Sequence, residues 1–319
     1  MKVIVMTGGS SGFGAVAAGR LTGSGAKLLV GARSGAGAAP KSRRGSSAGE
    51  KFRPLSPSPS ENPATLELTS LESVRTFASE VRAHLDGRAI DGLLLNAGLI
   101  KQDDAGRTLD GFEITFAVNH LAHYLLLRLL LPDLADGATV VLTSSGTHDP
   151  ATGAGLATPR HADATLLAHP DQDEGRDSDP KKAGEHAYTA SKLCAVLTAR
   201  HLVRLPEPRH LNVIAYDPGQ VFGTGLARDL SAPLRLAWSV LGTPAGAPLR
   251  WFKHDLNTRT SAGHALADLA LDEVTPPPGR TYAALRRGRL DWPDPSDLGR
   301  RDDLAEKLWD DSARLVGVA

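Results

Sequence analysis

Thr7-Gly8-Gly9-Ser10-Ser11-Gly12-Phe13-Gly14 lies between the apolar run Val3–Met6 and the helix-like segment Ala15–Leu21. A β-rich run, a glycine-rich turn and a helix in that order make a cradle for a pyrophosphate. The glycines permit a tight turn and let main-chain N–H groups approach phosphate oxygens, and the helix dipole adds its attraction. A glycine triplet is also what an ordinary surface loop contains. Its place at the first strand–helix junction selects the nucleotide reading.

Outward from this turn, short apolar runs alternate with longer segments of helical spacing. Lys27–Val30, Thr65–Leu68, Gly92–Leu95, Thr139–Thr143 and Asn212–Tyr216 are bounded by Gly, Asn, Asp or Pro and read as buried strands. Between them, Ser70–His84 carries Leu71, Val74, Phe77, Val81 and Leu85 at helical spacing, and Phe112–Leu131 is apolar around much of its circumference. Tyr188–Leu205, Asp255–Asp272 and Leu298–Leu315 read as further helices, with Thr281–Leu285 as a last strand. Such alternation implies right-handed crossovers. The expected fold is α/β, a Rossmann-type doubly wound parallel sheet with helices on both faces, in one nucleotide-binding domain over 1–319.

Three stretches break the pattern. Residues 34–63 are rich in Gly, Ser, Ala and Pro around Lys41, Arg43, Arg44 and Lys51, poor material for a core, and read as a mobile loop. Residues 146–185 read as a second irregular segment, an insertion near the active site. Residues 227–256 place Trp238, Leu241, Trp251 and Phe252 among Pro and Gly and read as an apolar lid over a substrate.

Composition narrows the function. Lys+Arg and Asp+Glu both number 36, so no excess charge draws the chain to nucleic acid or an anionic membrane. The single cysteine, Cys194, excludes an intrachain disulfide and a cysteine metal cage. No run is read as reaching the ~18 apolar residues of a membrane span, and a cytoplasmic protein is expected. His148, His161, His169 and His186, with Asp149, Asp163, Asp171 and Asp173, match no metal-ligand spacing. They read as a solvated loop and no metal is expected. His120 and His123 read as packing residues.

The residues that carry chemistry lie further along. Tyr188 and Lys192 are four apart on one helix and so share a face. A phenol ordinarily titrates near ~10, and a neighbouring ammonium favours its phenolate. With the Thr-Gly-x-x-x-Gly-x-Gly turn, Asn96-Ala97-Gly98, Asn119, Ser144-Ser145, Tyr188-x-x-x-Lys192 and Pro218-Gly219 with Thr224 nearby, the chain resembles the classical short-chain dehydrogenase/reductases, in order along nearly its whole length.

That resemblance implies hydride transfer with a nicotinamide cofactor. It implies Tyr188 as the proton-transferring group and Lys192 as a binder of the nicotinamide ribose. Ser145 would bind the substrate oxygen, with Ser144 as the alternative, and Asn119 would hold a water that links Lys192 to solvent. Gly8, Ser10, Ser11, Gly12, Phe13, Gly14, Glu67, Leu68, Asn96, Ala97, Gly98, Pro218, Gly219, Val221 and Thr224 are the expected cofactor contacts, with Glu67 near the adenine. A positive nicotinamide would further favour the phenolate.

Val30-Gly31-Ala32-Arg33 ends the second run without an acid for the adenosine ribose hydroxyls, and Arg33 can pair with a 2′-phosphate. NADP(H) is therefore the expected cofactor. The long gap from Ser145 to Tyr188, Asn119-His120-Leu121-Ala122-His123 and Lys192-Leu193-Cys194 resemble the protochlorophyllide-reductase and retinol-dehydrogenase-like branch. That branch implies a bulky lipophilic ketone, aldehyde or alcohol. The alternatives are protochlorophyllide-reductase-like reduction of a C=C bond and a catalytically silent NADPH-binding sensor or scaffold. A homo-oligomer and a monomer are both compatible with the sequence.

Overall fold

Val3–Thr7 forms β1, five buried residues whose side chains alternate between two cores. Val3 and Val5 face one apolar cluster, Ile4 and Met6 the other, as the two-residue period of a strand requires. A strand buried on both faces needs helices on both sides, and the chain supplies them. The computed structural model describes residues 1–33, 65–206, 210–221 and 255–318. The expected loop at 34–63, Thr224 and all but Asp255 and Leu256 of the expected lid lie outside the described residues.

In chain order the elements are β1, α1 (Gly12–Gly23), β2 (Lys27–Gly31), α2 (Leu71–Ala83), β3 (Ile90–Leu95) and α3 (Ile114–Phe116). A π-helical turn (Ala117–Leu121) leads into α4 (Ala122–Leu130), β4 (Leu134–Thr143), α5 (Ala164–Ala168), α6 (Pro180–Leu202) and β5 (Asn212–Asp217). Then come β6 (Gln220–Val221), β7 (Leu256–Asn257), α7 (Arg259–Ala270), β8 (Tyr282–Arg286), β9 (Arg289–Asp291) and α8 (Asp302–Val316). Among the described residues the main sheet runs β2-β1-β3-β4-β5-β8-β9, parallel up to β8 and closed by antiparallel β9. β2 lies on one side of β1 and β3 on the other, so the order reverses at β1. In open α/β sheets the crevice beyond the strand ends at such a reversal is where ligands bind.

Several expectations are corrected. Thr65–Leu68 is not a strand: it makes one parallel bridge, Ala32 with Thr65. The Ser73 hydroxyl takes the Glu67 N–H at 2.9 Å and Ser70 caps α2, so the start of the helix occupies groups that a longer ladder would need. Residues 146–185 are not irregular throughout. They contain α5, and α6 begins at Pro180, with Asp179 as its cap and proline in the first turn. Nor is this a solvated loop, since His148 and His186 are 1% and 5% exposed. Arg176 grips the buried Asp104 at 2.6 and 2.8 Å, and Arg160 grips Asp173 and Asp177 at 2.6 Å each. The Arg176 pair fastens the segment to the body, and the Arg160 pairs close the segment on itself. The helical run Ile114–Asp133 is long and apolar enough to cross a membrane by length and composition, against the sequence expectation. Here 78% of its most apolar stretch is buried inside the protein.

Burial makes the fold acid-sensitive. It lowers His120 to about 3, His123 to about 4 and His186 to about 3 from an ordinary 6.5. Between these values the unfolded chain binds protons that the fold does not, so stability is present above pH 6.5 and is lost as pH falls. Burial raises Glu113 to about 7 from 4.5, which opposes the trend with one proton. The net of roughly two protons corresponds to ~3 kcal/mol per pH unit. Urea midpoints should drop steeply from pH 6.5 to 4.5, and a flat profile would refute this burial.

Candidate active site

The carboxyl ends of β1, β3, β4 and β5 converge, and the sequence-derived residues meet there. At β1, the Thr7 hydroxyl oxygen accepts the main-chain N–H groups of Asn96 (2.9 Å) and Ala97 (3.1 Å). The Asn96 amide donates to Gly8 O at 3.2 Å and accepts from Thr143 Oγ1 at 3.1 Å. Asn96 thus ties the glycine turn to the ends of β3 and β4. Gly8 has φ +70, and a Cβ on Gly14 would stand 2.1 Å from Gly8 O and 2.6 Å from Asn96 Nδ2. The Ser11 side chain, at the residue before α1, makes no capping bond to the helix and is exposed with Ser10. The first N–H groups of α1 therefore present an anion site next to a cradle too narrow for a side chain.

The other expected cofactor contacts lie around this crevice. Phe13 is half-buried and Gly98 is exposed, flanked by Asn119 and Lys192: a Cβ on it would lie 3.3 Å from Asn119 Oδ1 and 3.4 Å from Lys192 Nζ. Arg33 is exposed just beyond β2. Leu68 is buried, whereas the half-buried Glu67 turns its carboxylate onto Thr69, accepting from Oγ1 at 3.1 Å. Beyond β5, Pro218 and Val221 are buried, and Gly219 has φ +70 with no room for a side chain beside Asp255 O.

Tyr188 and Lys192 are buried on α6, with Lys192 Nζ 5.6 Å from the Tyr188 ring centre and donating to Thr143 O at 3.0 Å. The Ser145 side chain acts on the phenol and favours its phenolate. Ser144 points elsewhere, donating to Lys192 O at 2.8 Å from a buried position. The arrangement separates the two serines: Ser145 meets the phenol and Ser144 braces the helix. Asn119 sits in the π-helical turn, a feature frequent at functional sites. Its side chain brackets Leu99, accepting from N and donating to O at 2.9 Å each, and donates to Ser191 Oγ at 3.0 Å.

The electrostatics differ from the sequence expectation. Burial outweighs the other influences on Tyr188 and pushes the phenol up to about 12, with the Ser145 hydroxyl pulling down and Asp217 pushing up. Burial lowers Lys192 to about 8, and Asp217 raises it. A desolvated pair is thus shifted toward its neutral forms.

Asp217 is one of the residues that sequence reasoning missed. It is 1% exposed at the end of β5, bound by Arg286 Nη2 at 2.8 Å, Gly219 N at 2.8 Å and Tyr282 OH at 3.2 Å. A Cβ on Gly146 would lie 3.1 Å from its carboxylate, so the pair lies directly behind Ser145. His148 was also missed in this role: its Nδ1 donates to Ser145 O at 2.7 Å and its ring meets Tyr282 edge-on. The only sequence signal was that both adjoin recognised motifs. Among the described residues no three or more His, Cys, Asp or Glu side chains form a group that could hold a metal ion.

Comparison with known proteins gives relatives for this arrangement. The family described as short chain dehydrogenase matches residues 2–155. Dehydrogenase/reductase SDR family member 13 of Bos taurus is 30% identical, over 99% of this chain and 74% of that protein. Retinol dehydrogenase 13 of Homo sapiens is 28% identical, over 99% and 85%. The chloroplastic protochlorophyllide reductase of Chlamydomonas reinhardtii is 30% identical, over 80% and 64%. Among solved structures, an uncharacterized protein from Mycobacterium paratuberculosis superposes with a TM-score of 0.62 at 24% identity, covering 99% of this chain and 94% of that one. That likeness is one of fold.

Proposed function

Since the chain belongs to the short-chain dehydrogenase/reductase family, we propose that it is an NADPH-dependent oxidoreductase acting on a bulky lipophilic ketone, aldehyde or alcohol, with Tyr188 as general acid/base. The observation that carries this reading is the buried Tyr188 phenol, whose ionisation Ser145 favours, with the Lys192 ammonium 5.6 Å from its ring. A bound nicotinamide supplies or takes the hydride at the substrate carbon. The chain's own part is to hold and polarise. Ser145 and Tyr188 hold the substrate oxygen, and Tyr188 gives that oxygen its proton in reduction and removes it in oxidation. Lys192 offsets the burial that holds the phenol proton so firmly. Asn119 keeps Leu99 and Gly98 in place beside Lys192.

The cradle of Gly8, Gly12 and Gly14 and the start of α1 fit a dinucleotide pyrophosphate. Gly14→Ala should weaken NADPH about 10- to 100-fold in a fluorescence titration. Its Cβ would press into Gly8 O at 2.1 Å, an overpacking strain of ~1–3 kcal/mol. Unchanged affinity would place the cofactor elsewhere. Arg33 favours the 2′-phosphate. Arg33→Glu should lower kcat/KM for NADPH about 10- to 100-fold, the loss of a charge-assisted contact of ~1.5–3 kcal/mol, and leave NADH use intact. An equal fall for both cofactors would reject that role.

The relatives named retinol dehydrogenases make all-trans-retinal the first substrate to try, with bulky ketones and quinones beside it. NADPH oxidation in the dark, faster than NADH oxidation, is the expected result. Binding of NADPH with no turnover of any of them would favour a sensor. Cys194, at the position where protochlorophyllide reductases carry a cysteine, is fully buried in the apolar core and burial pushes its thiol up. It lies two residues beyond Lys192, on another side of α6. The thiol is therefore no proton donor at this site, and carbonyl chemistry is the better fit.

A further inference from the structure

We propose that His123 is a positioning residue, a neutral imidazole protonated on Nδ1 that couples the cofactor turn to the backbone carrying Tyr188. The proposal rests on the oxidoreductase reading above for its kinetic part and on geometry for the rest.

The hydrogen bonds fix the tautomer. Thr7 Oγ1 accepts from Asn96 N and Ala97 N, which uses both lone pairs of a hydroxyl. Its own hydrogen must then be donated, and the partner is His123 Nε2 at 3.0 Å. Nε2 is therefore the acceptor and the ring proton sits on Nδ1, which donates to the main-chain carbonyl of Asn119 at 3.1 Å. From Asn119 the line continues. Nδ2 donates to Ser191 Oγ at 3.0 Å, and the Ser191 hydroxyl donates to Tyr188 O at 2.6 Å. Thr7, His123, Asn119, Ser191 and Tyr188 are all buried, so water does not compete for these bonds and each holds its neighbour firmly.

Among the described residues no anion acts on the ring to stabilise a charge. The groups that act on it are the Asn119 carbonyl and the Lys192 ammonium, and His123 in turn acts on His120, another neutral ring. A protonated His123 would lose the Thr7 bond and face Lys192. The neutral Nδ1–H form keeps both ends of the line engaged, one at the turn where the pyrophosphate would bind and one at the asparagine beside Lys192. His123 touches neither substrate nor cofactor; it acts through Thr7 and Asn119.

Two half-replacements in the full chain separate the ends. His123→Gln keeps an acceptor near the Nε2 position and drops the Asn119 bond. His123→Asn keeps a donor near Nδ1 and drops Thr7. For His123→Gln, kcat with all-trans-retinal should fall about tenfold while the Kd of NADPH, read by fluorescence titration, stays within about twofold. For His123→Asn, the Kd of NADPH should rise about tenfold and kcat should fall less than in His123→Gln. His123→Leu should show both effects. In ¹⁵N-histidine spectra of the wild type at pH 7, His123 should be neutral with its proton on Nδ1. A protonated ring, an Nε2–H tautomer, or variants that lower Tm alike without separating Kd from kcat would overturn the proposal. A wild type that binds NADPH but turns over no carbonyl counts against the oxidoreductase reading instead, and the tautomer and the Kd of His123→Asn then decide the role of His123.

Discussion

Tyr188→Phe should lower kcat about 10³-fold and leave the Kd of NADPH within about threefold. The change removes one oxygen from a side chain already buried on α6, so the ring still packs and the fold is kept. What is lost is the group that exchanges a proton with the substrate oxygen, and positioned acid–base groups contribute typically about 10²–10⁴-fold. A loss inside that range is expected here because Ser145 cannot stand in: an alkyl hydroxyl is a far weaker acid than a phenol. Steady-state kinetics with all-trans-retinal, beside an NADPH titration of the same preparation, checks both halves. A variant that keeps more than a tenth of wild-type kcat would remove Tyr188 from the proton's path.

Lys192→Met should lower the rate of alcohol oxidation about 10²-fold near pH 7. Methionine keeps the apolar stem and discards the charge. In the folded site burial pushes the phenol up to about 12 and holds Lys192 at about 8. Removing the ammonium takes away a charge that favours the phenolate, so less of the active base form exists at any given pH. The sign follows from that. The deficit should be greatest at pH 7 and shrink toward pH 10, where hydroxide does what the cation did. A deficit independent of pH would mean that Lys192 serves binding alone. The wild type should in turn lose part of its advantage over the variant above about pH 8, as Lys192 gives up its proton.

The glycine turn, the strand–helix alternation and the Tyr188–Lys192 pair were legible because each depends on local spacing. A φ of +70 at Gly8, or two side chains four apart on α6, follows from a few neighbouring residues. The choice between Ser144 and Ser145 was not local: it turns on which hydroxyl meets α6, and Ser144 is drawn to Lys192 O. Asp217 and Arg286 lie on neighbouring strands far apart in sequence and meet only once β5 pairs with β8. His123 resembled a packing residue because an apolar helix face around a histidine says nothing about the proton on its ring. The start of α6 at Pro180 could have been read from Asp179-Pro180, a cap followed by a first-turn proline. The acidic and histidine-rich composition before it suggested solvent, where the structure pairs those charges with Arg160 and Arg176.

The proposed reaction passes hydride between NADPH and a carbonyl carbon at the site of Tyr188 and Ser145. It is tested most directly by incubating the protein with all-trans-retinal and NADPH carrying deuterium at C4, in the 4R and 4S forms separately, and locating the label in the product. Deuterium should appear at the carbinol carbon with one of the two forms, and the Tyr188→Phe protein should yield almost no labelled product. Label on a carbon of a reduced C=C bond, or NADPH consumption that leaves no deuterium in the organic product, would contradict carbonyl reduction.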